Sequence, residues 1–303
     1  MTDAGVPALG PISVIIPTRD RHEMLANCIS RILPQLGPDD ELVIVDSASK
    51  VAIPFDLAGD AGRVIRSDIP GSSLARNIGW KSAKHQIVAF VDDDVWVKPH
   101  WADAVRAAFV DPDVSMITAR VSIPEGQDPE RPVAIKDELV AHNIDSSMPS
   151  SFESTACCAF RRNVLEATGG FDERLGPGTW FSSAEDLEVF DRVRRAGFRG
   201  RFDPTVHAQH DQWRSRRQLL VLEWRYGKGM GAHLWMVGTR DRKSARSQAK
   251  VALWEDGLAR VGPAILQHYE FAIVSQIVRF TGSVLGFIAG AFVLRHKVWP
   301  AHR

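Results

Sequence analysis

Ile87-Val88-Ala89-Phe90-Val91-Asp92-Asp93-Asp94-Val95 runs five apolar residues into three consecutive carboxylates. An apolar run of this length, bounded by polar residues, reads as a buried parallel strand. A core strand gains nothing from three like charges at its end. A divalent cation bound to a polyphosphate reverses that cost, because hard cations take oxygen ligands. Ligands of open α/β sheets bind just beyond the carboxyl ends of the strands. The stretch therefore reads as a metal–nucleotide site, with a solvated acidic turn as the plain alternative.

Upstream, the same grammar repeats. Residues 12–16 (Ile-Ser-Val-Ile-Ile) form a first strand, stopped by the turn Pro17-Thr18-Arg19-Asp20-Arg21. A helix is expected from about Arg21 to Leu36, broken at Gly37-Pro38. Residues 41–45 form a second strand that ends at Asp46, either a helix N-cap or a nucleotide ligand. Arg63 to Arg66 is a short third strand. The loop from Pro70 leads into a helix carrying Arg76, Asn77 and Gly79, with Ser72 or Ser73 as its cap. Backbone amides at that helix start, with Arg76 nearby, suit a diphosphate. Strands alternating with helices over short connections predict a mostly parallel sheet covered on both faces.

Downstream, a helix is expected over Trp101 to Phe109 and a strand over Val114 to Val121. Residues 122–152 form a long Pro-rich connection, of the kind that is usually functional. Thr155 to Phe160 reads as a strand and Arg161 to Thr168 as a helix ending at Gly169-Gly170. After a Gly/Trp loop, residues 176–181, a helix opens with Glu185 and Asp186. Acids in a first turn also suit the helix dipole alone. Arg199 to Phe202 is a short strand, and His207 and His210 follow Pro204 as metal-ligand candidates.

Length and composition bound the rest. The 303 residues fit one large α/β domain with an appendage. A net charge of zero gives no global field for nucleic acid. From Arg192 to Lys250, however, 15 Lys/Arg face four acids, an excess of 11 that suits phosphate-bearing substrates or an anionic membrane. Three cysteines (Cys28, Cys157, Cys158) without metal or disulfide spacing imply a reducing cytosol, and Met1 to Gly10 lacks a signal-peptide pattern.

Taken together, the ordered motifs resemble family 2 of the inverting glycosyltransferases, with the GT-A fold. They are Pro17-Thr18-Arg19, the strand ending in Asp46, Ala75-Arg76-Asn77-Ile78-Gly79, Asp92-Asp93-Asp94, Gly169-Gly170-Phe171-Asp172-Glu173 and Glu185-Asp186. The resemblance covers about residues 11–215. It implies a GT-A catalytic domain over 1–215, with a nucleotide-binding half (11–121) and an acceptor half (122–215), and a helical extension over 216–303. It places Pro17, Thr18, Arg19, Asp46, Arg76, Asp92 and Asp93 against the nucleotide sugar. It assigns Asp94, Asp92 and His210 (His207 as second choice) to a Mn²⁺ or Mg²⁺ ion. Asp186 becomes the general base, supported by Glu185. The middle acid, Asp93, should be the most replaceable of the three. The implied partners are a UDP-, GDP- or dTDP-sugar donor and a glycan, lipid-linked or small-molecule hydroxyl acceptor, with no nucleic acid. The products would belong to cell-surface polysaccharide, glycolipid or other glycoconjugates. A sugar-phosphate nucleotidyltransferase is disfavoured, because no Gly-rich basic loop follows the first strand. A non-catalytic nucleotide-sugar-binding protein at a membrane would have no use for Asp186.

The family pattern fades beyond about residue 215. Leu219 to Gly231 combines a helix with a Gly-spaced basic loop, from which Arg225 and Lys228 could reach phosphate. Phe271 to Leu294 holds one charge, Arg279, in 24 residues. As a helix it would span about 36 Å, enough for a bilayer core of about 30 Å. Its small and polar residues (Ser275, Arg279, Gly282, Ser283, Gly286, Gly290) share one stripe, closer to an amphipathic or packed helix than to a uniform span. The resemblance, whose members that build cell-surface polysaccharide often carry a similar apolar tail, implies an interfacial membrane helix ahead of a packed or spanning one. Arg295, His296 and Lys297 would suit lipid headgroups, giving a cytoplasmic protein held peripherally on the inner face of the cell membrane.

Overall fold

Ile12–Thr18 (β1) and Glu41–Ser47 (β2) are buried along their whole length, as strands covered on both faces must be. They pair in parallel with each other, β1 pairs in parallel with Ile87–Val91 (β4), and β2 with Gly62–Ser67 (β3). Pro17 is accommodated because the β1–β4 pairing ends at Ile15 and Phe90. The structure, a computed structural model, describes residues 10–127, 133–145, 154–250 and 270–294. The expectations for residues 1–9, for 128–132 and 146–152 of the long connection, and for Arg295, His296 and Lys297 fall outside these.

The chain divides into two units. Residues 1–148, 152–171 and 190–212 form the first, and 149–151, 172–189 and 213–303 form the second. The first holds a sheet of nine strands among the described residues, in the order β3-β2-β1-β4-β8-β6-β9-β5, with β7 beside β9. The later strands are Val95–Val97 (β5), Val114–Ser122 (β6), His142–Ile144 (β7), Cys157–Arg161 (β8) and Arg199–His210 (β9). The first four strands are parallel, as the alternating pattern implies. Beyond β4 the pairing is mixed: β8 runs antiparallel to both β4 and β6, while β6 and β9 are parallel.

Helices cover both faces. His22–Ile32 (α1) buries Leu25, Cys28, Ile29 and Ile32, an i, i+3, i+4, i+7 stripe, against Ile12, Val14 and Ile16. Ser72–Ser82 (α2) packs on the other face, where a Cβ on Gly79 would come under 3.0 Å from the Ile15 side chain. On that face Phe90 meets Phe171 edge-on at 5.2 Å, and Phe160 stacks on Phe190 at 5.4 Å. Each such buried ring contributes about 1.5–3 kcal/mol. Trp101–Ala108 (α3) and Arg162–Thr168 (α4) complete the cover, and Glu185–Arg195 (α5) begins in the second unit and ends in the first.

Two local readings are corrected. The helix at 72 is capped by Gly71 (φ 157°), so Ser72 and Ser73 lie inside its first turn. The strand expected to stop at Phe202 continues to His210, because a bulge absorbs Pro204: Ala119 pairs with Asp203, and the next residue, Arg120, pairs with His207.

In the second unit, Arg216–Arg240 (α6) starts with a capping box between Ser215 and Gln218. It runs unbroken through Gly227, Gly229 and Gly231, so the basic loop expected there is helix, its glycines taken up by close packing. Arg242–Ala249 (α7) is capped by Asp241, and Glu270–Val293 (α8) follows. Helix α8 lays its small-residue stripe on α6: a Cβ on Gly227, Gly231, Gly282 or Gly286 would come under 3.0 Å from the opposing backbone. Arg279 is neutralised by Glu223 at 2.5 Å. Leu175, Phe181, Ala232, Met236 and Leu294 form the unit's apolar core.

Candidate active site

The apolar run of β4 ends in a tight turn, closed by Val95 N donating to Asp92 O at 3.1 Å. The turn splays the three acids in three directions. Asp92 accepts from Arg76 of α2 at 2.6 Å. Asp93 points inward, accepting from Thr18 Oγ1 at 2.8 Å and Arg21 at 2.7 Å. Asp94 faces His210, with Oδ1 3.5 Å from Nε2, while its Oδ2 accepts from Arg21 at 3.2 Å.

Strand register brings His210 there. β5 leaves the turn and pairs antiparallel with β9, setting Val95 opposite His210. Asp211 N also donates to Asp94 O at 2.9 Å. The imidazole Nδ1 lies 3.1 Å from Asp211 O and 3.3 Å from the Gln212 amide nitrogen, and Nε2 faces the Asp94 carboxylate. A buried carboxylate and imidazole this close share either a proton or a cation. A carboxylate with an imidazole would suit a divalent ion such as Mn²⁺ better than Mg²⁺, which prefers an all-oxygen set. The expected third protein ligand is not part of this group. Asp92 is turned to Arg76, and among the described residues no three His, Cys, Asp or Glu gather to hold a metal. His207 bonds Ser122 Oγ at 2.9 Å instead, and burial with Arg120 and Lys98 nearby holds its pKa below the usual histidine range.

Asp93 departs from its expected place. It is 4% exposed and ties the end of β1 and the start of α1 to the turn, so it is neither open to a donor nor an idle middle position. Burial pushes its carboxyl up to about 6; Arg21 and Thr18 pull it down, while Asp94 pushes it further up.

Asp46 is likewise enclosed, 1% exposed, accepting from Ser49 N at 2.9 Å, Ile53 N at 3.3 Å and Arg66 at 2.6 Å. Burial opposes its charge, but these bonds and the Arg66 charge outweigh it and hold the carboxyl below the ordinary range. The more exposed group at the end of β2 and β3 is Arg66, 37% exposed. Arg76 is buried against Asp92 and the Phe171 ring. Arg19 is 46% exposed beside Asp20.

Arg21 and the Thr18 hydroxyl are functional groups that sequence reasoning misses; the one signal for Arg21 is the helix start at residue 22, which points it back at the strand ends. Asn77 has a structural task. Its amide donates to Phe171 O at 2.9 Å and accepts from Phe171 N at 2.8 Å, joining α2 to the Gly169-Gly170-Phe171 turn. The backbone is left-handed at Asp20 (φ 56°) and Ala48 (φ 58°), in loops after β1 and β2 that are cross-tied by Asp20 N to Ser49 Oγ at 2.9 Å and Lys50 N to Asp20 Oδ1 at 2.7 Å. Such conformations cost of order 1–3 kcal/mol for non-glycine residues and gather at functional sites.

In the second unit, Glu185 and Asp186 open α5 after a loop with left-handed Ser182 (φ 65°) and Ala184 (φ 70°). Glu185 is buried, whereas Asp186 is half-buried in the first turn and accepts from the next backbone amide, Leu187 N, at 2.8 Å. The loop is fastened to α6. Ser183 Oγ donates to Arg225 O at 2.8 Å, and Lys228 Nζ donates to Trp180 O at 2.5 Å and sits 4.6 Å from the Trp180 ring.

Residues 13–169 match the family described as glycosyl transferase family 2. A pre-mycofactocin glycosyltransferase of Mycobacterium tuberculosis is 27% identical over 239 residues, 73% of this chain and 48% of that protein. Glycosyltransferase AglE of Haloferax volcanii is 26% identical over 259 residues, 80% of this chain and 79% of that one. The chain thus spans about half the length of the first of these relatives. Among solved structures, the mannosyltransferase PcManGT from Pyrobaculum calidifontis, in complex with GDP-Man and Mn²⁺, superposes with a TM-score of 0.62 at 20% identity, covering 91% of this chain and 86% of that one. TarS of S. aureus gives 0.52 at 14% identity over 94% and 91%. Both share the GT-A fold with this chain.

Proposed function

The chain belongs to glycosyl transferase family 2, and from that premise we propose that it transfers a sugar from a nucleotide-diphosphate donor to an acceptor hydroxyl, with inversion at the anomeric carbon. The observation that carries this is the Asp94–His210 pair at the carboxyl end of the sheet: a carboxylate oxygen and an imidazole nitrogen facing each other across 3.5 Å. A Mn²⁺ or Mg²⁺ ion held there would neutralise the diphosphate leaving group. Solved relatives in complex with GDP-Man and Mn²⁺ and with UDP support a donor of this class.

The chain's own residues supply the rest. Arg21 holds Asp94 by its second oxygen, leaving the first toward His210. Arg76 fixes Asp92 at the mouth of the turn. Asp186, with Glu185 beside it, takes the proton of the attacking hydroxyl, a contribution of about 10²–10⁴-fold. One base and direct displacement require no carboxylate nucleophile, and so invert. The products belong to cell-surface polysaccharide, glycolipid or a related glycoconjugate, made at the cytoplasmic face of the cell membrane.

Binding of UDP-, GDP- and dTDP-sugars, measured by thermal shift with and without Mn²⁺, identifies the donor, since a ligand of the native state raises its apparent stability. Asp94→Ala should lose the metal-dependent shift. Asp186→Asn should keep it and lose transfer. Undiminished transfer by both variants overturns the proposal.

A further inference from the structure

Helices α6 and α8 lie side by side and run in the same direction: Gly227 faces Gly282, Gly231 faces Gly286 and Trp235 faces Gly290. Glycines recur every fourth residue on both, so the backbones touch. A helix pair built for water buries its large apolar side chains between the helices and leaves the polar ones outside. Here the arrangement is reversed. The seam is glycine, while Val274, Ile277, Phe280, Val284, Leu285, Phe287, Ile288, Phe292 and Val293 point outward, 37–71% exposed. Close packing through small residues is how helices associate in lipid, where burying large apolar groups against each other gains nothing. The only charge from Phe271 to Val293, Arg279, is spent on Glu223. By length and composition α8 is apolar enough for a membrane, although its seam is occupied by α6.

Charge selects the occupant of the outward face. From Trp213 to Lys250 there are ten Lys/Arg and only Glu223 and Asp241 against them, and Arg216, Arg217, Arg225, Arg242, Lys243 and Arg246 are exposed. Arg216 lies 5.8 Å from the Phe271 ring, which sets one of these cations beside the start of α8, and a second copy would bring the same positive charge to the contact, which costs affinity. An anionic lipid surface meets both the apolar face and the cations.

The loop bearing Glu185 and Asp186 belongs to this same unit. Ser183 and Trp180 are bonded to α6, and Leu175 and Phe181 pack with Ala232, Met236 and Leu294. We propose that the outward face of α8 beds in an anionic lipid surface, and that the acceptor hydroxyl is carried by a lipid-anchored molecule in that surface. The acceptor half of this inference rests on the transfer reading above.

The full chain is floated with vesicles of phosphatidylcholine mixed with phosphatidylglycerol, and with phosphatidylcholine alone. Wild type should float with the mixed vesicles, and less as salt is added. Ile277→Glu/Phe287→Glu should lose at least about tenfold in partitioning, with its thermal melt and Mn²⁺-dependent donor binding unchanged. Equal flotation of the variant, or none by wild type, overturns the surface, as does a wild-type dimer that the variant breaks into monomers. Transfer of labelled sugar from the donor is then followed into an extract of source-cell membranes. Label in the organic-soluble fraction supports the acceptor class. Label confined to the water-soluble fraction overturns it while leaving the transferase reading intact. Label in neither fraction, despite donor binding, overturns both.

Discussion

Replacing Asp93 by asparagine removes a buried carboxylate without changing its shape, and the structure fixes the sign of the effect. Two forces compete: Arg21 and the Thr18 hydroxyl favour the charge, while burial and the neighbouring Asp94 oppose it. The two partners of the ion pair shift in ways that disagree, since Arg21 is raised, its ionised form favoured, whereas Asp93 is raised, its ionised form disfavoured. Asp93 decides. It is fully buried beside a second carboxylate, while Arg21 is a third exposed and draws on both acids. A rise from 3.8 to about 6 is roughly two units, or about 3 kcal/mol at about 1.4 kcal/mol per unit. An amide matches a protonated carboxyl imperfectly, so about 1–3 kcal/mol is expected. Below pH 4 the acid is protonated in both the folded and the unfolded chain, and the variant gains nothing. Between about pH 4 and 6 only the unfolded chain ionises, so the wild type loses stability as pH rises. Above about 6 both states are charged and the difference is constant. Thermal melts in EDTA at pH 4, 5, 6 and 7.5 should therefore show Asp93→Asn drawing ahead of wild type up to pH 6 and holding its lead. A variant that melts lower at pH 7.5, or a gap that does not change between pH 4 and 6, would refute the reasoning.

Three other outcomes follow from particular contacts. His210→Ala should weaken Mn²⁺ binding in the presence of nucleoside diphosphate by at least the 10–100-fold typical of supporting partners, read by electron paramagnetic resonance, while His207→Ala, bonded to Ser122, should leave it unchanged. Gly79→Ala forces a methyl group against Ile15 between α2 and the sheet, and should cost about 1–3 kcal/mol in denaturant melts. Gly286→Val should open the α6–α8 seam, seen as faster proteolysis within the second unit, because its side chain would meet the Lys228 backbone.

Much of the first unit was legible in the sequence because its strands are short apolar runs punctuated by acids, prolines and glycines. Position at a strand end was not enough to assign a task, however. Asp40 and Glu41 sit at the amino end of β2 and serve only structure, accepting from Ile12 N and from Ser13 Oγ and Lys84 N. Asp46, at the opposite end, proves equally enclosed. The roles of the three central acids depend on a turn, and alternation along a strand cannot assign directions to consecutive residues in a turn. The continuation of β9 was hidden by Pro204, whose usual meaning is a stop. The α8 stripe was visible in the sequence, but that α6 carries the matching glycines depends on a pairing between segments more than fifty residues apart.

The bulge at Pro204 acts as a gauge. Side chains alternate along a strand, so a slip of one residue presents a different group at every position. As folded, the bulge delivers an imidazole opposite Val95. One residue fewer between Asp203 and His207 would deliver Asp211, a second carboxylate; one more would deliver Gln209, an amide. Imidazole suits the transition metals, and all-oxygen sets suit magnesium and calcium. For the cation proposed above, chain length in this segment decides which side chain reaches it, and a single-residue deletion or insertion between Asp203 and His207 should change the preferred metal by exchanging the residue opposite Val95.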